Sequence, residues 1–396
     1  MKSYALESLG MVNALGIGFE TIYRRLVGGD TSCLSLQKLR TMDALVPVGK
    51  VNGDIPRMPE HLMRFNCRNH SLALMAYQQI DGKVNEVSDR YGPHRVAVVV
   101  GSSTSGLDAT ELAYFNWKQT GEIPKTYNFT HQHDMGSIAR FIGALSGVKG
   151  PTYTLSTACS SSAKVFAAAK GLLDLGVCDA VITGGVDAIC HLTLDGFESL
   201  GSLSRQISNP MSANRDGLNI GEGAALFVLT RAQGPISLFG VGESCDAYHM
   251  SAPQPDGLGA EAAMAAALED ADLKPSDLAY LNLHGTGTPL NDVMEAKAVQ
   301  RIFGTIPCSS TKPLVGHALG VAGAMEVGFC WQILNAAGRG PTALPPHVWD
   351  GAVDRDIPEI DLVTSGHGQI EGGGHFLMSN SFAFGGNNCS VIIGNS

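Results

Sequence analysis

The sequence predicts an α/β layered architecture, on three observations. Runs of Val, Ile and Ala without polar interruption recur along the chain, as in a sheet covered on both faces. Segments rich in Ala, Leu and Met fall between them at helical length. The 396 residues, 44% hydrophobic and 16% charged, suffice to bury a sizeable core without disulfide staples.

Taken in order, residues 95–101 (RVAVVVG) read as a buried strand, and 151–155 are β-prone and lead into a helical run at 160–175. Residues 179–184 and 224–230 are strands. Beyond them, helical patterns at 259–271, 292–303 and 319–336 surround a strand at 278–283, and an apolar strand at 389–394 ends the chain. A Gly-rich turn precedes a strand twice, at Asn219-Ile220-Gly221-Glu222-Gly223 and at Phe384-Gly385-Gly386-Asn387-Asn388. Two readings stand: a duplicated fold with halves 1–230 and 231–396, or chance, since such turns before strands are common.

Charge and composition narrow the function. With 27 basic and 37 acidic side chains the net charge is −10, which argues against general nucleic-acid binding. Nine cysteines without CxxC pairs or clustered His fit free thiols in a reducing compartment, not a zinc site. The start of the chain carries no apolar leader pattern, and the longest apolar stretch, 321–334, holds Glu326 and Gln332. A cytoplasmic protein without a membrane span is expected. The 48 glycines are about 12% of the chain against an ordinary value of about 7%, a sign of many tight turns.

Four segments carry candidate chemistry. In Ser156-Thr157-Ala158-Cys159-Ser160-Ser161-Ser162 a β-prone run meets an Ala-rich helical run, so Cys159 falls on a strand-to-helix turn. Unpaired N–H groups and the positive helix end stabilise a thiolate there and lower its pKa. A free cysteine is more often inert packing, and the other eight are assigned to that role. His284, in Leu283-His284-Gly285-Thr286-Gly287-Thr288, is delivered by an apolar strand to a loop at its carboxyl end, where α/β proteins place their sites. Lys312 and His317 lie in Ser309-Ser310-Thr311-Lys312-Pro313-Leu314-Val315-Gly316-His317; Lys312 is either a solvated charge or a local cation beside a thiol or carboxylate. In Ser379-Asn380-Ser381-Phe382-Ala383-Phe384-Gly385-Gly386, the aromatics are turn packing or a movable gate. His131-Gln132-His133-Asp134 lacks a third metal ligand and reads as a loop, and neither a P-loop, a strand-linked GxGxxG nor HExxH is present.

Together, TACSSS with Cys159, HGTGTPLND with His284, SSTKPLVGHALGVAGA with Lys312 and His317, and SNSFAFGGNN resemble the β-ketoacyl-acyl carrier protein synthases of the thiolase superfamily. The resemblance spans essentially the whole chain. Gly101-Ser102-Ser103-Thr104-Ser105-Gly106, Gly242-Glu243-Ser244-Cys245-Asp246-Ala247-Tyr248-His249, Ala383 and Asn387 are closest in wording to aryl polyene ketosynthases. It implies a five-layered αβαβα fold of two duplicated halves and a decarboxylative condensation needing no metal or cofactor.

Site roles follow from the same resemblance. Cys159 carries the acyl chain, His284 and His317 hold the enolate oxygen, and the Cys159 and Phe384 N–H groups hold the tetrahedral oxyanion. Glu326 pairs with Lys312, and Phe384 gates the site. The implied partners are acyl carrier protein, docked on a patch of Arg64, Arg68 and Arg205, and a second ketosynthase-like chain in a homodimer or a heterodimer with a chain-length factor. The alternatives are a housekeeping fatty-acid elongating synthase and a non-catalytic chain-length-factor subunit. One departure is Pro210-Met211-Ser212, where many relatives read Pro-Phe-Asp.

Overall fold

The computed structural model describes residues 2–365 and 368–395. A central strand path runs in the order Cys308–Ser309, Leu278–Asn282, Phe376–Phe382, Asn387–Asn395, Ile236–Cys245, Tyr4–Asn13, Gly223–Thr230, Ala180–Asp187, Val96–Gly101 and Thr152–Leu155. Numbered along the chain within residues 1–230, the path strands lie in the order 1-5-4-2-3 from the middle outwards. The strands after residue 231 repeat that order on the other side. The two groups join where Tyr4 and Ala5 pair with Leu238 and Ser237.

Strand residues divide by parity between two cores, because successive side chains point to opposite faces. Ala97 and Val99 enter the same core as Leu377, Val391 and Ile393. Val96, Val98 and Val100 enter a second core, and Met378 and Ile392 a third. The shared core holds helix Ser161–Asp174, half of its residues buried, and helix Ala322–Ala337, buried on nearly all sides, between the two groups of strands. Helices Arg68–Tyr77 and Ser137–Ser146 cover one outer face; Leu258–Ala271 and Pro289–Phe303 cover the other. The result is five layers, αβαβα.

The expected elements are present with small shifts. The strand at 179–184 runs on to Asp187, and the helix at 292–303 starts earlier, with Pro289 in its first turn. Proline suits that position because its missing N–H is unneeded there. The run at 319–336 is a 3₁₀ turn, Leu319–Val321, leading into Ala322–Ala337. His131 is not in a loop: Phe129–Gln132 forms one helical turn, with the Asn128 side chain accepting the His131 N–H at 3.1 Å. Among the described residues no helix is long and apolar enough to cross a membrane, and no cluster of three His, Cys, Asp or Glu is arranged to hold a metal ion.

Candidate active site

Cys159 sits between strand Thr152–Leu155 and helix Ser161–Asp174 and is 6% exposed. The preceding Ala158 has φ +54°, a left-handed conformation uncommon for a residue with a Cβ. Neighbouring serines hold the elbow: the Ser161 hydroxyl donates to the Ala158 carbonyl at 2.6 Å and accepts the Thr157 N–H at 2.8 Å. The Ser162 hydroxyl accepts the Ala324 N–H at 2.8 Å, which ties the two inner helices together.

His317 reaches the thiol from the other half of the chain. Its Nε2 lies 3.0 Å from Cys159 Sγ. The Gly-rich motif of residues 219–223 places it: the Asn219 carbonyl accepts the His317 N–H at 2.6 Å, and Gly221 N–H donates to the His317 carbonyl at 2.9 Å. The chains come so close that a Cβ on Gly316, at φ +72°, would lie 2.7 Å from the Ile220 carbonyl oxygen. His317 Nδ1 is buried and has no hydrogen-bond partner among the described residues.

His284 stands across from His317, rings near perpendicular with centroids 5.3 Å apart. Its Nδ1 faces the Lys312 ammonium at 3.4 Å, and Lys312 also donates to the His284 carbonyl. Lys312 is a buried cation, not a solvated one, and it meets Glu326 Oε1 at 2.6 Å. Burial and the Lys312 charge hold both imidazoles well below their usual range, so both are neutral. Burial pushes the Glu326 carboxyl up to about 7, with Lys312 pulling the other way.

For Cys159 the expected lowered pKa is corrected. Burial pushes the thiol up to about 12, although the Lys312 charge and the Phe384 N–H aimed at the sulfur pull it down. Desolvation of the anion outweighs the local positive field, so the resting pair is a thiol and a neutral imidazole.

Phe384 borders the cleft that holds this group. Phe384 stacks on Phe197 with centroids 5.7 Å apart. Its turn is fastened to residues 246–250: Asp246 N–H donates to the Gly386 carbonyl, Gly385 N–H to the Met250 carbonyl, both at 2.8 Å, and Asn388 Nδ2 donates to Asp246 Oδ1 at 2.6 Å. A cleft of about 180 Å³, lined by Cys159, His284, His317 and Phe384, opens past Thr286, Thr288, Leu290 and Pro253.

The arginine patch is corrected in one member. Arg64 is exposed over the Phe65 ring, and exposed Arg205 pairs with Glu198. Arg68 is turned inward, its Nε donating to Glu222 Oε2 at 2.8 Å and its Nη2 to the Val51 carbonyl at 3.1 Å. Glu222 is fully buried and needs that cation, so Arg68 is held in the interior. Two functional neighbours were not foreseen. Glu295 accepts the N–H groups of His284 and Gly285, both at 2.7 Å, and Asp187 gathers the N–H and hydroxyl groups of Ser103 and Thr104. Both are acids inside otherwise ordinary helix and strand patterns; spacing of Glu295 eleven residues after His284 was the available signal.

Five layers with a thiol at an inner helix start, met by imidazoles from the second half, make up the thiolase-like fold of the condensing enzymes. The family models for the beta-ketoacyl synthase N-terminal and C-terminal domains match residues 70–234 and 237–343. The 3-oxoacyl-[acyl-carrier-protein] synthase 2 of Rhizobium meliloti (strain 1021) is 31% identical over 99% of both chains. A chain in the solved complex of the ketosynthase ApeO and its chain length factor ApeC, from Xenorhabdus doucetiae, is 40% identical with a TM-score of 0.93. That match covers 100% of this chain and 98% of the other. A beta-ketoacyl synthase from Burkholderia phymatum STM815 is 27% identical over the full length of both, with a TM-score of 0.85. The chain belongs to the beta-ketoacyl synthase family, whose members are condensing acyltransferases.

Proposed function

We propose that this chain condenses malonyl-acyl carrier protein with an acyl group held on Cys159, in the making of an aryl polyene. The observation that carries the reading is the 3.0 Å approach of His317 Nε2 to Cys159 Sγ, with His284 and Lys312 facing the same point.

In the first step the Cys159 sulfur attacks the acyl thioester. Its proton passes to His317 Nε2 and on to the departing phosphopantetheine sulfur, so a thiol leaves and a new thioester forms. In the second step the malonyl carboxylate leaves as carbon dioxide, and its bonding pair becomes an enolate. Between the steps the His317 ring shifts its one proton from Nδ1 to Nε2, so the enolate oxygen lies between the Nε2–H groups of His284 and His317; fixed donors of this kind contribute about 3–4 kcal/mol each to such sites. The enolate carbon attacks the acyl carbonyl, with the resulting oxyanion held by the Cys159 and Phe384 N–H groups. Collapse expels the Cys159 sulfur, and one proton from solvent restores the thiol.

The same reading takes residues 1–230 and 231–396 as duplicated halves, supported by their repeated strand order. It places the enzyme in the cytoplasm. Carrier protein docks on Arg64 and Arg205, and a second ketosynthase-like chain, identical or a chain-length factor, completes the assembly. Intact mass spectrometry tests it. Incubation with aryl-polyene-primed carrier protein adds the acyl mass to the chain and leaves Cys159→Ala unchanged. No adduct from any acyl carrier overturns the condensing reading. Faster loading of saturated acyl chains favours fatty-acid elongation, which the likeness to 3-oxoacyl-[acyl-carrier-protein] synthase 2 also supports.

A further inference from the structure

His347 is buried outside the catalytic group, and no step above uses it. Both of its nitrogens are engaged. Ser310 N–H donates to Nδ1 at 3.1 Å, and Nε2 lies 2.9 Å from the Pro210 carbonyl. A backbone N–H only donates and a carbonyl only accepts, so the proton is on Nε2 and the ring is neutral. Burial, which holds its pKa down near about 4, keeps it so.

These two bonds close a ring around the turn that carries His284. The Ser310 hydroxyl donates to the Gly285 carbonyl at 2.6 Å. Gly287 N–H donates to Asp292 Oδ1 at 3.2 Å, and Met211 N–H donates to Asp292 Oδ2 at 2.8 Å. From Met211 the chain steps back to Pro210, and His347 completes the circuit to Ser310. Ser310 also accepts the Lys312 N–H at 3.3 Å, so the ring reaches the cation that orients His284. The segment it clamps is the one that departs from Pro-Phe-Asp, with Met211 at φ +63°, a costly backbone that needs external hold. Cys159 and His317 are fastened by other contacts, to the serine elbow and to residues 219–221.

We propose that His347 is a positioning residue for decarboxylation: it locks the His284 turn through Ser310 and Pro210 and leaves acyl transfer to Cys159 untouched. The inference rests on the condensing reading above. Two partial reactions separate them, acyl uptake by mass and carbon dioxide release from malonyl-acyl carrier protein. His347→Leu fills similar space without polar atoms, and its carbon dioxide release falls about tenfold to a hundredfold, as expected for a misplaced donor, with acyl uptake within about twofold. His347→Gln spans the same two partners with an acceptor and a donor and restores release to within about threefold of the parent. Ser310→Ala, which removes the hydroxyl link to Gly285, shows the same selective loss and decides the matter if His347→Leu fails to fold. Parallel loss of both partial reactions, unchanged release in either variant, or no rescue by Gln overturns the proposal. A parent protein with neither partial reaction overturns instead the condensing reading.

Discussion

The Lys312 ammonium and His284 Nδ1 stand 3.4 Å apart, and an ammonium group can only donate. The His284 proton is therefore on Nε2, the nitrogen turned toward the cleft. His317 has no such partner at Nδ1 among the described residues, so neither tautomer of its ring is fixed. The two imidazoles are not equivalent: one is fixed as a donor at Nε2, and the other can carry its proton on either nitrogen.

Lys312→Met should therefore strike decarboxylation first. Losing the fixed Nε2–H donor corresponds to about a hundredfold to a thousandfold in carbon dioxide release. Acyl loading of Cys159 should fall less, since His317 keeps its contact with the sulfur. Single-turnover loading and carbon dioxide release, measured on one preparation, read the two separately; equal losses contradict the asymmetry.

Gly386→Ala should hamper the gate. The residue has φ +76°, and an added Cβ would lie 2.8 Å from the Asp246 Cβ. The strained turn costs about 1–3 kcal/mol, and its Phe384 N–H moves off the sulfur. Slower acyl loading with a melting temperature lowered by a few degrees is the expected outcome; loading at the parent rate would show the turn tolerates a side chain.

Arg68→Ala should damage stability and not docking. It strands the buried Glu222 carboxylate, a change worth about 3–5 kcal/mol in comparable buried pairs. Chemical denaturation checks the loss. Arg205→Glu should leave stability near the parent and weaken transfer from carrier protein while sparing a small thioester. Equal loss with both substrates would remove Arg205 from the docking surface.

The buried histidines should weaken the fold below pH 6.5. Four buried histidines have depressed values: His70, His347 near about 4, and His284 and His317 well below 6.5. The unfolded chain binds their protons below pH 6.5 and the native state does not, so their contribution is full above that value and is lost on acidification. Glu295 and Glu326, raised from 4.5 to about 7, act with opposite sign: the native state holds their protons between those values, and stability declines as pH rises through the interval. Burial raises Asp108, Asp187 and Asp292 as well, and they act with the glutamates, so the histidine share is read as a difference: stability falls more on acidification from pH 6.5 to 5 in the parent than in His70→Gln. Melting temperatures of the two across that range test it; parallel curves would contradict it.

Most of the layered fold was legible because both signals are local. The parity that sends Val98 to one core and Val99 to another is written in a run of consecutive Val residues, and the inner helices in Ala-rich stretches. Cys159, His284, Lys312 and His317 each lie in a motif that is contiguous in sequence. What escaped depends on distant partners. Arg68 looks like any surface arginine until Glu222, far along the chain, is seen to need it. His347 carries no motif, and its meaning comes from Ser310 and Pro210 on two other loops. The thiol pKa was misread because helix-end charge is visible in sequence and burial is not.

The repeated strand order has a consequence for where the reactive side chains meet. In each half a loop follows the third strand of the path and leads to an inner helix: one holds Cys159 before Ser161–Asp174, the other holds Lys312 and His317 before Ala322–Ala337. The fold offers the same address twice, facing itself across a seam. At one address stands the Cys159 thiol, and at the other the Lys312 ammonium and the His317 imidazole. Neither half owns a reaction, and a cut at the junction near residue 231 would separate the thiol from every imidazole that acts on it.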